Sequence, residues 1–328
     1  MRLTTRFFLL LSAIEIFCLA APQNCAAGLV WRKGEGWSYE RANATTANNP
    51  KDQLEIGKKF QAEKKYDDAI AAYRRLISRW PTAFATQDAR LGLAESLTEI
   101  GYLYKGFKEY QNLIDKHSNS PHFEKALQGQ YDIGVQFMNG AKRKIWRFRI
   151  FTAYDKAIEI FEQVVKNGPY STVGPEAQFR IGLTYEKLKD NISAVHAFEK
   201  VLERYPKLPI AEDAQFQIGW AYYSEAQRAD YDQNNANQAV SSFSDYLVKY
   251  PSSAKAEQAK ELRLKLKGEQ SKGLMQIGTY YEKNKKYKAA LIYYNEVIEQ
   301  NPRSDWATTA QQKITLVSPL AKQQSVVQ

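Results

Sequence analysis

Three histidines and two cysteines supply little ligand or nucleophile chemistry in a chain of 328 residues. His117 and His122 flank Pro121, and His196 stands apart. None has a Cys, Ser or carboxylate at a catalytic spacing, and no GxSxG, Walker A or HExxH motif is present. The expectation is a non-enzyme with no cofactor and no metal. Two other constellations suit binding. Lys142-Arg143-Lys144-Ile145-Trp146-Arg147-Phe148-Arg149 interleaves cations with aromatic rings. Such a stretch fits an anionic membrane surface, an acidic partner or single-stranded nucleic acid. The alternative is a solvated helix extension whose rings pack on their own unit. The second constellation is Phe216, Trp220 and Tyr223, spaced four and three residues apart and so on one helical face. Equivalent positions hold Tyr131 and Val135, then Phe179 and Leu183. An exposed stripe of this kind would hold an extended peptide or a partner helix; the alternative is that an insertion or a neighbouring helix covers it. Lys58, Glu95, Glu186 and Glu282 fall at similar positions and read as solvated.

These residues must be positioned by the elements around them, and those elements repeat. Gly57, Phe60, Ala69, Tyr73 and Pro81 share their offsets with Gly182, Tyr185, Ala194, Phe198 and Pro206, and with Gly278, Tyr281, Ala290, Tyr294 and Pro302. This is the tetratricopeptide pattern, a helix–turn–helix unit. Gly134, Phe137, Ala157, Phe161 and Pro169 repeat it with an insertion, as do Gly219, Tyr222, Ala239, Phe243 and Pro251. In both, the offsets after the Ala are unchanged, which places the extra residues at the turn between the helices. Ala94, Leu97, Gly106, Tyr110 and Pro121 make a weaker sixth unit. The interval from Pro251 to Gly278 is long and carries an Ala/Glu/Lys/Leu-rich run, which predicts one lengthened helix, interrupted near Gly268 or Gly273. The small residues let helices approach, the aromatics fill space between units, and Pro ends each second helix. The fold class is therefore all-α: a right-handed tetratricopeptide superhelix of about six helix pairs over 51–317. A capping helix runs from Ser304 to Val317, and Ser318-Pro319 begins a frayed tail over 318–328.

The N-terminus reads as an export signal. Arg2 and Arg6 precede a nearly continuous apolar run, Phe7 to Ala20, and small residues follow, giving a signal peptide over 1–27. The run is shorter than the roughly 20 residues of a membrane span. Neither Cys18, after Glu15-Ile16-Phe17, nor Cys25, after Pro22-Gln23-Asn24, fits the Leu-x-[Gly/Ala]-Cys pattern of a lipoprotein, which argues against a lipid anchor. Cleavage leaves at most one cysteine and no internal disulfide. No second long apolar segment and no series of alternating ten-residue strands occurs, which argues against an integral membrane protein. Residues 28–50 carry Trp31, Trp37 and Tyr39 and read as an extended arm or linker, either a tether or one whose tryptophans dock. A net charge of +10 favours an anionic partner or surface; export turns that preference away from nucleic acid. With 44% hydrophobic residues the chain has material for a large core, which excludes global disorder.

The sequence resembles the BamD-like outer-membrane assembly factors. The features that carry the resemblance are the helical repeats with Tyr-Pro ends and the polar insertion Asp230 to Gln238 before Ala239 and Phe243-Ser244-Asp245-Tyr246. The lengthened helix, Tyr280-Tyr281-Glu282 and Tyr287-Lys288-Ala289-Ala290 follow in the same order. The resemblance implies a periplasmic scaffold at the inner face of the outer membrane. It further implies partners among β-barrel insertases and unfolded outer-membrane proteins. It transfers no binding residue to this chain. The repeat starts Glu176 to Gly182 and Glu212 to Gly219 are also similar to CpoB-like soluble periplasmic proteins of cell-envelope constriction. A general tetratricopeptide adaptor is the third possibility.

Overall fold

The computed structural model describes residues 27–32, 36–41, 46–141, 153–228 and 233–326. The expected signal peptide lies outside them except for Ala27, and the basic–aromatic run over 142–149 lies wholly outside them. The chain divides into two compact units at Ala153 and Tyr154.

The first unit opens with an antiparallel hairpin of β1 (Ala27–Arg32) and β2 (Gly36–Arg41), with Trp31 opposite Trp37. The expected arm is thus paired over this stretch. Leu, Val, Trp and Tyr favour strands, and a strand gains most when it has a partner. The helices of this unit are α1 (Pro50–Ala62), α2 (Tyr66–Arg79), α3 (Ala85–Glu99), α4 (Leu103–Lys116) and α5 (Phe123–Met138). The second unit holds α6 (Ala153–Asn167), α7 (Gly174–Leu188), α8 (Asn191–Arg204), α9 (Ile210–Arg228), α10 (Gln233–Lys249), α11 (Ala256–Lys283), α12 (Tyr287–Gln300) and α13 (Asp305–Val326). Consecutive helices pack against one another from α1 to α5 and from α7 to α13. This is the all-α tetratricopeptide architecture that the spacing predicts.

Local chemistry starts and turns the helices. Asn49 caps α1 by accepting from the Asp52 N–H at 2.9 Å, and Pro50 occupies a first-turn position where no N–H is needed. Asp190 caps α8 in the same way through Ser193. The connecting turns need a left-handed residue. Gly101 supplies it after α3, whereas Lys64, Lys189 and Lys285 adopt it seven residues after their repeat glycines.

Packing then follows one rule. In four hairpins the second-helix aromatic packs against the first-helix glycine. A Cβ on Gly57 would sit 2.4 Å from the Tyr73 ring, one on Gly182 2.4 Å from Phe198, one on Gly219 2.7 Å from Phe243, and one on Gly278 2.6 Å from Tyr294. Tyr73 also meets Gly92 of the following hairpin, so one ring closes a hairpin and the joint to the next. Buried glutamines add a fixed polar tie. Gln53 donates to the Ala72 carbonyl at 3.2 Å, and Gln178 donates to the Ala197 carbonyl at 3.0 Å.

Three expectations need correction. Part of the insertion of the fifth repeat is helical: α9 reaches 19 residues and α10 17, against 15 and 14 in α7 and α8, while residues 229–232 lie outside the described residues. Added helical turns keep backbone groups paired. Helix α11 runs 28 residues without a break at Gly268 or Gly273. Ala259 and Leu266 are buried with the α10 core, and Leu274 and Met275 with the α12 core, so packing on both halves holds it. Helix α13 continues through Pro319 to Val326 instead of stopping. Val317 and Ala321 are buried on either side of the proline, and that packing outweighs the cost of about 3 kcal/mol of an interior proline.

Gly182→Ala should destabilise the chain by about 1–3 kcal/mol, since the Phe198 ring must move. Gly268→Ala, which meets nothing within 4 Å, should stabilise it by up to about 1 kcal/mol. Urea unfolding of the two variants measures both, and a similar cost for each would contradict the close-approach role of Gly182.

Candidate partner-binding face

The first helices of the second unit, α7, α9 and α11, carry most of the predicted stripe. Trp220 is 37% exposed and its ring lies tilted against Tyr223, with ring centres 5.6 Å apart. Tyr223 is half-buried, and its hydroxyl accepts from Lys265 Nζ on α11 at 2.8 Å. Phe179 is half-buried and leans on Phe198 at 5.2 Å. Tyr131 is half-buried on α5 in the first unit. Phe216 is a correction: at 5% exposure it is core, not groove. Its ring lies 5.8 Å from Phe243 and 5.5 Å from Tyr246. Lys255, just before α11, sits over its ring at 5.2 Å and pairs with Asp213 at 2.6 Å. Phe216 stands three residues before its repeat glycine, as do buried Met275 and the half-buried Tyr131 and Phe179. The register alone therefore does not separate core from face; the contacts with Phe243, Tyr246 and Lys255 do. Lys142, Arg143, Lys144, Trp146, Arg147 and Arg149 lie outside the described residues.

The histidines are held by ordinary contacts. His122 Nε2 lies 2.7 Å from Asp88, and the Ser120 hydroxyl accepts from the His122 backbone, not from its ring. Burial holds the His117 imidazole below its ordinary value, and Arg90 and Lys116 add to this. His196 pairs with Glu199 and borders a cavity of about 450 Å³ among α6, α7 and α8, whose lining mixes Glu162 with Lys166, Lys200 and Arg204. Among the described residues, no three His, Cys, Asp or Glu side chains converge on a metal position. No described helix is long and apolar enough to cross a membrane.

The register four residues after each repeat glycine shows what this face can do. Buried tyrosine hydroxyls need acceptors, and this register supplies them. Tyr73 donates to Gln61 at 2.6 Å, and Tyr294 donates to Glu282 at 2.6 Å. Glu282 also receives Lys313 Nζ from α13 at 3.1 Å. Burial pushes the Glu282 carboxyl up, but Tyr294 and Lys313 outweigh it and hold it below the ordinary range. Glu186 stands at the same register on α7, where the ring is Phe198 and carries no hydroxyl. Its Oε1 is buried with no hydrogen-bond partner. Burial alone pushes its carboxyl up to about 7. The solvated state expected of Glu186 and Glu282 is therefore wrong for both, since one is orphaned and the other saturated. Glu95 is likewise engaged, by Lys125 at 2.7 Å and Gln61 at 2.8 Å. The signal for Glu186 was the Phe at 198 in a register where three other units carry Tyr.

Comparison with known families bears on the same region. The profile of YfiO, an outer membrane lipoprotein family, matches residues 152–318. The chain belongs to this family. A tetratricopeptide repeat profile matches residues 35–83. No curated protein matches the chain. Among solved structures, MamA is 22% identical, covering 63% of this chain and 95% of its own, with a TM-score of 0.37. The C-terminal part of a tetratricopeptide repeat-containing protein from Cytophaga hutchinsonii is 19% identical, covering 81% and 88%, with a TM-score of 0.40. A tetratricopeptide repeat protein from Parabacteroides merdae is 12% identical, covering 82% and 98%, with a TM-score of 0.36. The family match lies C-terminal to both cysteines of this YfiO-family chain, and so carries nothing about a lipid anchor.

The raised Glu186 carboxyl has a signed effect on stability. Between the ordinary value of 4.5 and about 7, the folded chain keeps a proton that the unfolded chain has lost. The stabilisation is complete below the unfolded value and is lost as pH rises through the folded one. Glu186→Gln should leave stability unchanged at pH 4.5 and raise it at pH 8 by roughly 1–3 kcal/mol, read by thermal unfolding at the two pH values.

Proposed function

We propose that this chain is a non-catalytic periplasmic scaffold that assists the assembly of β-barrel proteins into the outer membrane. It does so by holding partner segments along the face of α7, α9 and α11. The observation that carries the proposal is the Trp220–Tyr223 pair, a partly exposed aromatic contact inside the region matched by the outer membrane lipoprotein family. Family membership supports an envelope location and a protein–protein role. The geometry supports the mode of contact: rings with apolar faces for a partner's side chains, and Glu186 and Lys265 beside them for polar contacts. The partners in this proposal are the periplasmic domains of a barrel insertase and unfolded barrel precursors. The basic–aromatic run at Lys142, Arg143, Lys144, Trp146, Arg147 and Arg149 would add a peripheral contact with anionic lipid, each cation contributing about 1 kcal/mol near the surface.

A photo-crosslinking residue at position 220, used in intact cell envelopes, should capture the insertase or barrel precursors. Trp220→Ala with Tyr223→Ala should lower outer-membrane β-barrel levels several-fold while leaving helicity intact. Crosslinks confined to cell-constriction proteins would replace the assembly role with an envelope-constriction one. Charge reversal at Lys142, Arg143 and Arg147 should abolish co-sedimentation with phosphatidylglycerol vesicles at low salt. Unchanged sedimentation would remove the lipid contact.

A further inference from the structure

We infer that Glu186 is the receptor for a lysine or arginine side chain carried by an extended segment of a partner protein, with the Trp220 ring beside it. The inference rests on the partner-holding role proposed above and names the chemistry recognised there.

The chain contains its own precedent. At the same register in the last hairpin, the Glu282 carboxylate is filled from two sides, by the Tyr294 hydroxyl at 2.6 Å and by the Lys313 ammonium at 3.1 Å. In the last hairpin the spacing of the two donors is fixed by the repeat: the Tyr294 ring follows Glu282 by twelve residues, and Lys313 follows the ring by nineteen. In the hairpin of α7 and α8 these positions hold Phe198 and Gln217, so the hydroxyl and the ammonium are both missing. Glu186 Oε1 is the only carboxylate oxygen among the buried unpartnered side-chain atoms of the described residues. A buried carboxylate without a donor is costly, and a charge-assisted hydrogen bond from a cation is its strongest remedy. Lys313 on the C-terminal helix supplies such a cation to Glu282; among the described residues, none reaches Glu186 Oε1.

The surroundings fit that cation. Across successive first helices, this register faces the residue one past the next small position where Gln61 donates to Glu95 at 2.8 Å. By that register the counterpart of Glu186 is Trp220, the partly exposed indole. A carboxylate beside an indole suits an ammonium or guanidinium, which gains an ion pair on one side and a cation–π contact on the other. The chain's net charge of +10 gives a basic peptide no general attraction, so its binding reports a local site.

The test uses the full chain at pH 8 and two end-capped, fluorescein-labelled nonapeptides of Ser, Tyr and Val. One has a single central Lys and the other norleucine in its place. Fluorescence anisotropy should show the Lys peptide binding at least about ten-fold more tightly. Glu186→Gln should erase that difference. So should Phe198→Tyr, whose hydroxyl would give Glu186 what Tyr294 gives Glu282. Both variants should keep wild-type circular dichroism, and Trp220→Ala should weaken both peptides. Equal affinity of the two peptides for the wild type, or discrimination that survives Glu186→Gln, would overturn the cation receptor and leave the partner-holding face standing. Failure of the wild type to bind either peptide would overturn both. Displacement of the Lys peptide by spermidine well below the peptide concentration would overturn the protein-segment occupant and assign the site to a free polyamine.

Discussion

The structure depends on a flat ring pressed against a residue that has no side chain. Where Tyr73, Phe198, Phe243 or Tyr294 meets its glycine, two helix backbones close to a distance that no Cβ would allow. Burying such a ring is worth several kcal/mol of transfer and packing. The contact fixes the hairpin angle and so sets which residues of the first helix turn inward and which stay free. Each of these four hairpins has only one such ring, so its chemistry has local consequences. A tyrosine brings a hydroxyl into the core and obliges an acceptor to follow it in; a phenylalanine does not.

Glu186 follows from that asymmetry. Gln61 and Glu282 are inward-leaning acceptors whose desolvation is offset by a tyrosine hydroxyl. Glu186 leans in at the same register over a phenylalanine, and its buried Oε1 has no hydrogen-bond partner among the described residues. A local violation of an otherwise consistent pattern is where sequence and fold most often part for the sake of function. Here the violation lies on α7, and by register its counterpart on the next first helix is the partly exposed Trp220, within the matched family region.

Much of the fold was legible because its determinants are local and periodic. Gly, Ala, aromatic and Pro recur at fixed offsets, and the six pairs, their helical class and the long α11 follow from counting. What counting could not resolve was how extra residues are absorbed. Eight added residues between Gly219 and Ala239 make either a loop or extra helical turns, and the described part of the insertion lengthens α9 and α10. Pro319 reads as a stop until Val317 and Ala321 are seen to be buried around it. The candidate face was half legible. Trp220 and Tyr223 are on it, but Phe216 belongs to the core because it packs on Phe243 and Tyr246 and Lys255 closes over it. Glu186 was missed because a charged residue on a first helix reads as wet when judged alone. Its state depends on residues twelve and thirty-one positions downstream.

Helix α11 makes its two neighbours inseparable. In a row of hairpins where each touches only the next, the ends can melt one at a time. Here a single rod of about 42 Å is built into the α10 core at one end and the α12 core at the other. No loop divides the two halves, so freeing one would fray the other. The segment from α9 to α13 should therefore melt as one block, a stiff C-terminal end for the chain.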